Sequence, residues 1–256
     1  MGVARRMRCL SNAVCRHISN HGFATSLGAV LARKVSAKTL DVHRSPTLLT
    51  HSQLTENDRS LWDAAYAEDF YGLQDLGTWQ IITEEEYQRL RPLVGKALLS
   101  MAISTIKHDG DGNPDRCKYR IVVLGNLDPN NWSKSDCFTP ALSQMELRLL
   151  LAIAAAAAKK CIPKSGDVSQ AFVQSSLPAS EQYVVKPPPG CPFSRRKTYF
   201  KLLKTLYGLK RSPRHWCEKA RQTLISMGLR PLTHSPCIFT GSLIEGEPPL
   251  YLGLYV

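Results

Sequence analysis

Leu206-Tyr207-Gly208-Leu209-Lys210-Arg211-Ser212-Pro213-Arg214-His215-Trp216 joins an aromatic, apolar run to the start of a helix. Pro213 suits a first helical turn, where its missing N–H is no loss, and Ser212 before it reads as the cap. Trp216, Ala220, Leu224 and Met227 follow at helical spacing as one apolar face, which Gly228 closes as a C-cap. Two strands are expected next, near residues 237–240 and 250–256, joined by a Gly/Glu/Pro turn. The last of them, Pro249-Leu250-Tyr251-Leu252-Gly253-Leu254-Tyr255-Val256, reads as a buried strand. Upstream, residues 198–207 read as a strand or strand pair, and residues 183–190 end in three prolines and a turn.

Further back, Ser143-Gln144-Met145-Glu146 is a capping box in front of a helix expected to run through Lys160. Its apolar stretch from Leu149 to Ala158 reads as buried, and it falls well short of the roughly 20 apolar residues that span a bilayer. No membrane partner is expected. Residues 98–107 and 117–125 are β-rich and flank Asp109-Gly110-Asp111-Gly112-Asn113-Pro114-Asp115, which reads as a hairpin with a polar tip. A calcium loop is excluded, because Pro114 stands where an EF-hand needs Gly and Arg120 where it needs a bidentate Glu. Nearer the N-terminus, Asn57 or Asp58 is a candidate cap for a helix bearing Leu61, Trp62, Ala65, Tyr66 and Phe70, broken by Gly72 and Gly77. Residues 78–82 then alternate as a strand, and Glu84-Glu85-Glu86-Tyr87 opens a short helix whose acids suit its N-terminal dipole.

With 43% hydrophobic and 21% charged residues the chain is globular in composition. Its net charge of +12 fits a polyanionic partner. Residues 1–40 hold seven Lys/Arg and no acid, however, so the other 26 basic residues face 21 acidic ones and the body is only mildly basic. The eight cysteines are scattered without a CxxC pair, which reads as reduced thiols in an intracellular protein, cytoplasmic or nuclear. Residues 1–50 form a basic leader or linker whose composition also resembles a mitochondrial or plastid transit peptide. His17 and His21 share a helical face there but lack the Glu of a zinc-protease motif. Residues 51–97 read as a helical lead-in and residues 98–256 as a continuous α+β body.

The candidate chemistry lies in Asp167-Val168-Ser169-Gln170-Ala171-Phe172. An aspartate after glycine is ordinarily a turn or cap residue. Phosphoryl transfer to a growing nucleic acid uses two divalent ions about 3.5–4 Å apart, held by carboxylates on adjacent strands. A carboxylate, a short polar turn and then an aromatic suit that geometry, with the flat ring placed to pack on a sugar.

Taken in order, these blocks resemble the reverse transcriptase of copia-type retrotransposons over residues 62–256. Trp62 and Thr78-Trp79 resemble the family's lead-in, and residues 116–125 its basic fingers strand. Phe138-Thr139-Pro140-Ala141 with Arg148-Leu149-Leu150 is similar to the approach to the first palm helix. Tyr183 and Pro187-Pro188-Pro189-Gly190 are similar to the Tyr…Pro-Gly segment, and residues 206–216 are nearly the full family signature. The resemblance implies the fingers and palm of a right-hand polymerase, α+β in class. It implies RNA-templated DNA synthesis from dNTPs with Mg²⁺ on an RNA template and DNA primer, within a Pol polyprotein. It also implies roles: Asp167 as a metal-binding catalytic carboxylate, Val168 as a carbonyl ligand beside it, and Phe172 as the gate against a ribose 2′-hydroxyl. Lys118 and Arg120 resemble the residues that neutralise the triphosphate. Gly208, Lys210, Arg211, Ser212, Pro213 and Arg214 resemble the turn that grips template and primer, where a backbone without bulk approaches the nucleic acid.

Two departures shape the expectation. Pro163-Lys164-Ser165-Gly166 precedes Asp167 where the family has a more apolar strand, and Pro and Gly weaken strands. The family's paired aspartates would follow Val256, so a chain ending there is expected not to polymerise. The alternatives are a domesticated remnant that binds RNA–DNA without catalysis, or a decayed gene product.

Overall fold

A computed structural model describes residues 49–50, 56–108, 114–157, 162–191, 193, 197–243 and 248–256. The transit-like leader, His17, His21 and the hairpin tip at residues 109–113 lie outside them. The described residues gather into two compact units.

The first unit comprises the described residues of Ser26–Asn131 and Ser176–Ser212. In chain order it contains β1 (Leu49–Thr50), α1 (Glu56–Asp75), β2 (Trp79–Thr83), α2 (Glu84–Val94), β3 (Ser100–His108), β4 (Pro114–Val123), β5 (Val184–Val185) and β6 (Thr198–Leu202). These strands make two antiparallel sheets, ordered β1-β3-β4 and β2-β6-β5. The β3–β4 hairpin forms because apolar residues alternate along β4: Tyr119, Ile121 and Val123 are buried, while Lys118 and Arg120, at the alternate positions, point to the other face. Its register pairs Ser104 with Tyr119 and Ala102 with Ile121. α1 lies against β4 and buries Phe70 and Leu73. Phe70 meets Trp79 and Phe200, whose rings stack at 4.7 Å across the β2–β6 pair. A second cluster gathers Ile82, Tyr87, Ala97, Val184 and Tyr199 under α2.

Three local expectations change here. The backbone is already helical at Glu56, so Asn57 and Asp58 lie in the first turn of α1 and do not cap it. α1 also passes through Gly72, because Phe70 and Leu73 are anchored in the core on either side, and ends at Asp75. β6 stops at Leu202, short of the expected residue 207, because Leu203 N–H and Lys204 N–H both turn to donate to Thr78 O.

The second unit comprises the described residues of Trp132–Ser175 and Pro213–Val256. It holds α3 (Lys134–Cys137), α4 (Gln144–Ala156), α5 (Ser212–Ser226, its first residue closing the first unit), β7 (Arg230–Leu232), β8 (Ser235–Gly241) and β9 (Leu250–Gly253). The strands form an antiparallel sheet in the order β7-β8-β9. Leu224 and Leu229 pack with Phe239, and Gly228 ends the helical segment at φ +90°, as its C-cap reading requires.

α4 begins with the expected capping box, in which Ser143 Oγ accepts from Glu146 N–H and the Glu146 carboxylate accepts from Ser143 N–H. Ser143→Ala is expected to cost about 1 kcal/mol, measured as a lower midpoint of urea unfolding. The buried helix expected from the Leu/Ala run is corrected: no residue of α4 is buried, and Met145, Leu147, Leu149 and Leu151 are exposed. The run is apolar on every side, and Leu142 and Leu150 are the residues that close on Gly253 of β9. β9 differs likewise from the buried strand expected. It is an edge strand, with Leu250 and Tyr251 exposed and Leu252 turned towards Leu224, Leu229 and Phe239. Among the described residues, no helix is long and apolar enough to cross a membrane.

Candidate functional site

Asp167 sits at the end of an irregular segment, residues 162–168, which makes no strand. The Pro163 and Gly166 that break it account for that, and the carboxylate is exposed. The residues after it are held in a defined turn. Gln170 adopts the left-handed conformation at φ 50°, which costs a residue with a side chain about 1 kcal/mol. A 3₁₀ turn then spans Ala171–Gln174, with Gln174 Nε2 donating back to Ser169 O at 3.3 Å. Val168, Ala171 and Phe172 pack against Trp216 and Ala220 of α5, and Leu254 and Val256 join the same cluster. The turn that carries Asp167 and the end of the C-terminal strand thus meet on one face of α5. Phe172 is half-buried in that contact.

Among the described residues, no group of three or more His, Cys, Asp or Glu converges where a metal ion would bind. One carboxylate such as Asp167 is not by itself a two-ion site.

Lys118 and Arg120 stand in the first unit on β4, an edge strand of its sheet. The outer backbone edge of β4 is occupied by two different groups. Ile121 N–H donates to Asp69 Oδ2 of α1 at 3.0 Å, and Val123 N–H donates to Tyr207 O at 2.8 Å. Arg120 lies over the Tyr207 ring, 6.0 Å from its centre. Burial pushes the Asp69 carboxyl up to about 6, against the opposing pull of the Ile121 N–H bond and of Arg120 and Lys118. The folded pKa lies above the ordinary carboxylate value, so the neutral form is the one that favours folding. That contribution is complete below about pH 4 and is lost as pH rises through about 6. Asp69→Asn keeps an acceptor for Ile121 N–H without the charge. Its stability relative to wild type is expected to rise between pH 4 and 7, read from urea unfolding at each pH.

The signature turn is built around a close backbone approach. Gly208 has φ +92°, and a Cβ there would fall 1.9 Å from Val123 O and 2.7 Å from Val122 Cγ1. A Cβ on Gly125 would fall 2.0 Å from Gly208 O. What Gly208 approaches is the end of β4. The expected cap at Ser212 is corrected: Ser212 is the first residue of α5, and its Oγ donates back to Leu206 O at 2.7 Å. Arg211 pairs with the buried carboxylate of Glu181. In the second unit, Pro213 occupies the first turn of α5 and Arg214 donates to Ser135 O. Lys210 is exposed.

The candidates thus fall in both units: Lys118, Arg120, Gly208, Lys210, Arg211 and Ser212 in the first, and Asp167, Val168, Phe172, Pro213 and Arg214 in the second. Sequence reasoning missed Asp69, Glu181 and the backbone role of Tyr207. Asp69 stands 52 residues from Ile121, and Glu181 stands 30 from Arg211. The acidic position inside the apolar face of α1, directly before Phe70, was the one visible signal.

Residues 91–256 match the model of the reverse transcriptase (RNA-dependent DNA polymerase) family. The chain is 30% identical over 155 residues to the retrovirus-related Pol polyprotein from transposon RE1 of Arabidopsis thaliana, covering 60% of this chain and 10% of that protein. It is 29% identical over 193 residues to the Pol polyprotein from transposon TNT 1-94 of Nicotiana tabacum, covering 75% of this chain and 14% of that one. With the Transposon Ty1-DR4 Gag-Pol polyprotein of Saccharomyces cerevisiae the identity is 25% over 182 residues, 70% of this chain and 10% of the yeast protein. The chain therefore spans about a tenth of the length of these relatives. No solved structure matches it. The family match over residues 91–256, together with these transposon Pol polyproteins, places this chain in the reverse transcriptase family, as a copia-type retrotransposon reverse transcriptase domain.

Proposed function

We propose that this chain is fingers and palm of a right-hand polymerase that copies RNA into DNA from dNTPs within a Pol polyprotein. The observation that carries the reading is the convergence on α5. Val168 and Phe172 beside Asp167 pack on Trp216 and Ala220 together with Leu254 and Val256. Two-metal phosphoryl transfer needs further carboxylates besides this one, and the cluster places the Asp167 turn beside the chain that follows β9. In this reading Asp167 would supply one carboxylate and Val168 a carbonyl to Mg²⁺, and Phe172 would face the sugar of the incoming nucleotide. When bound, the ion would stabilise charge on the transferring phosphate. Lys118 and Arg120 attract the triphosphate. Lys210 and Arg214 are exposed cations of the signature turn, Arg214 donating to Ser135 O, while Arg211 is held by Glu181. Gly208, Ser212 and Pro213 then shape the turn that primer and template would meet.

The exposed cations Lys210 and Arg214 of the signature turn also support a second reading, for the 256-residue polypeptide taken alone. It binds RNA–DNA hybrid without adding nucleotides. Both readings are tested by one pair of assays on the same preparation. Anisotropy of a labelled RNA–DNA primer–template is expected to show binding that weakens steeply between about 50 and 200 mM salt, as counterion release requires. Primer extension with Mg²⁺ and dNTPs is expected to show none. Extension by the polypeptide itself would overturn the binding-only reading. Absence of salt-dependent hybrid binding by a cooperatively folded protein would overturn both.

A further inference from the structure

We propose that Asp69 is a positioning residue for the basic strand: bonded to Ile121 N–H on the outer edge of β4, its carboxylate fixes where Lys118 and Arg120 stand and moderates their pull on an anion. The inference rests on the proposed role of Lys118 and Arg120 at the triphosphate. An edge strand such as β4 presents unpaired N–H groups every second residue, and these must be met by water or by another element. Ile121 and Val123 are two such residues on the side away from β3. Val123 is met by the backbone of the signature turn, at Tyr207 O, and Ile121 by the Asp69 side chain. A carboxylate is a costly way to meet one N–H in a largely buried place, since an amide would accept the same bond uncharged. Burial opposes this charge strongly enough to outweigh the N–H bond and both nearby cations. A charge that the fold itself disfavours points to a use outside folding.

The placement supplies that use. Ile121 is adjacent to Arg120 and three residues past Lys118, and both cations act on the Asp69 carboxylate. Arg120 is bounded further along by the Tyr207 ring. The groups that act on Asp69 are Arg120 and Lys118 of β4 and Glu68 of α1, and Asp69 in turn acts on the Tyr119 hydroxyl of β4. With Asp69 ionised, the strand is clamped and the cation pair is partly neutralised. With it protonated, the field around Lys118 and Arg120 is more positive.

The test uses the whole 256-residue chain and inorganic tripolyphosphate, titrated calorimetrically from pH 5 to 8. The Lys118→Ala/Arg120→Ala variant is expected to lose at least about tenfold in affinity; if it binds like wild type, the triphosphate reading fails whatever Asp69 does. Asp69→Asn is expected to bind severalfold tighter than wild type at pH 8 and equally at pH 5, so that the ratio of the two affinities moves through about pH 6. Taking the ratio removes the probe's own titration. Asp69→Ala is expected to lose affinity at every pH while still unfolding cooperatively. A merely structural Asp69 would leave the Asn-to-wild-type ratio flat across pH. A flat ratio, with Lys118 and Arg120 shown to matter, overturns the proposal. Should the Ala variant fail to fold, the Asn ratio alone decides.

Discussion

Gly208→Ala is expected to destabilise the first unit by more than about 4 kcal/mol and to abolish its cooperative unfolding, read by urea denaturation and by the yield of soluble protein. Two effects add. Gly208 sits at φ +92°, where a residue with a Cβ is strained. The Cβ would also fall 1.9 Å from the Val123 carbonyl oxygen, a backbone atom that cannot rotate aside. Relief requires the turn to withdraw from β4, which breaks the 2.8 Å bond from Val123 N–H to Tyr207 O. Gly228→Ala is the control, because its φ of +90° carries the conformational strain but nothing lies within 4 Å of the added Cβ. It should lose about 1 kcal/mol. Equal losses at the two positions would show that close approach to β4 is not what keeps Gly208 small. The same displacement bears on function. Loss of nucleic-acid binding in a Gly208 variant would report a displaced β4, with Lys118 and Arg120 on it, as readily as a lost contact.

The second large effect is expected at the Arg211–Glu181 pair. Arg211→Ala should cost about 4 kcal/mol, because it removes the cation facing a carboxylate whose side chain is only 3% exposed. Replacing both residues, as Arg211→Met with Glu181→Leu, should recover most of that loss, since a well-packed apolar pair avoids the desolvation of two charges. The double-mutant cycle in urea unfolding measures it. If the single variant unfolds like wild type, the pair is a solvated contact and Arg211 is available to bind phosphate. If the loss appears and is recovered, hybrid affinity in the double variant isolates whatever Arg211 contributes to the nucleic acid.

Much of the local structure was legible in the chain. The β3–β4 hairpin follows from alternating burial at Tyr119, Ile121 and Val123, and the α4 capping box and the Gly228 stop are local rules obeyed locally. Which surfaces meet was not legible. The Leu/Ala run of α4 reads as core because hydrophobicity reports what a helix could bury, not what covers it, and its leucines are exposed. β9 reads as buried for the same reason and lies at a sheet edge. In the candidate site, the order of the blocks carried the family. The reason Gly208 is glycine and the partners Asp69 and Glu181 depend on contacts remote in sequence, which no periodicity encodes.

The Asp167 turn, seated on α5 beside Leu254 and Val256, is proposed above as the metal-carrying part of a polymerase palm. The most direct measurement is Mn²⁺ binding by electron paramagnetic resonance, on the 256-residue chain with an RNA–DNA primer–template and the next dNTP, for wild type and Asp167→Ala. Wild type is expected to retain protein-bound Mn²⁺ that Asp167→Ala loses, with hybrid affinity the same in both. Equal Mn²⁺ binding by the two proteins, at equal hybrid affinity, would contradict it.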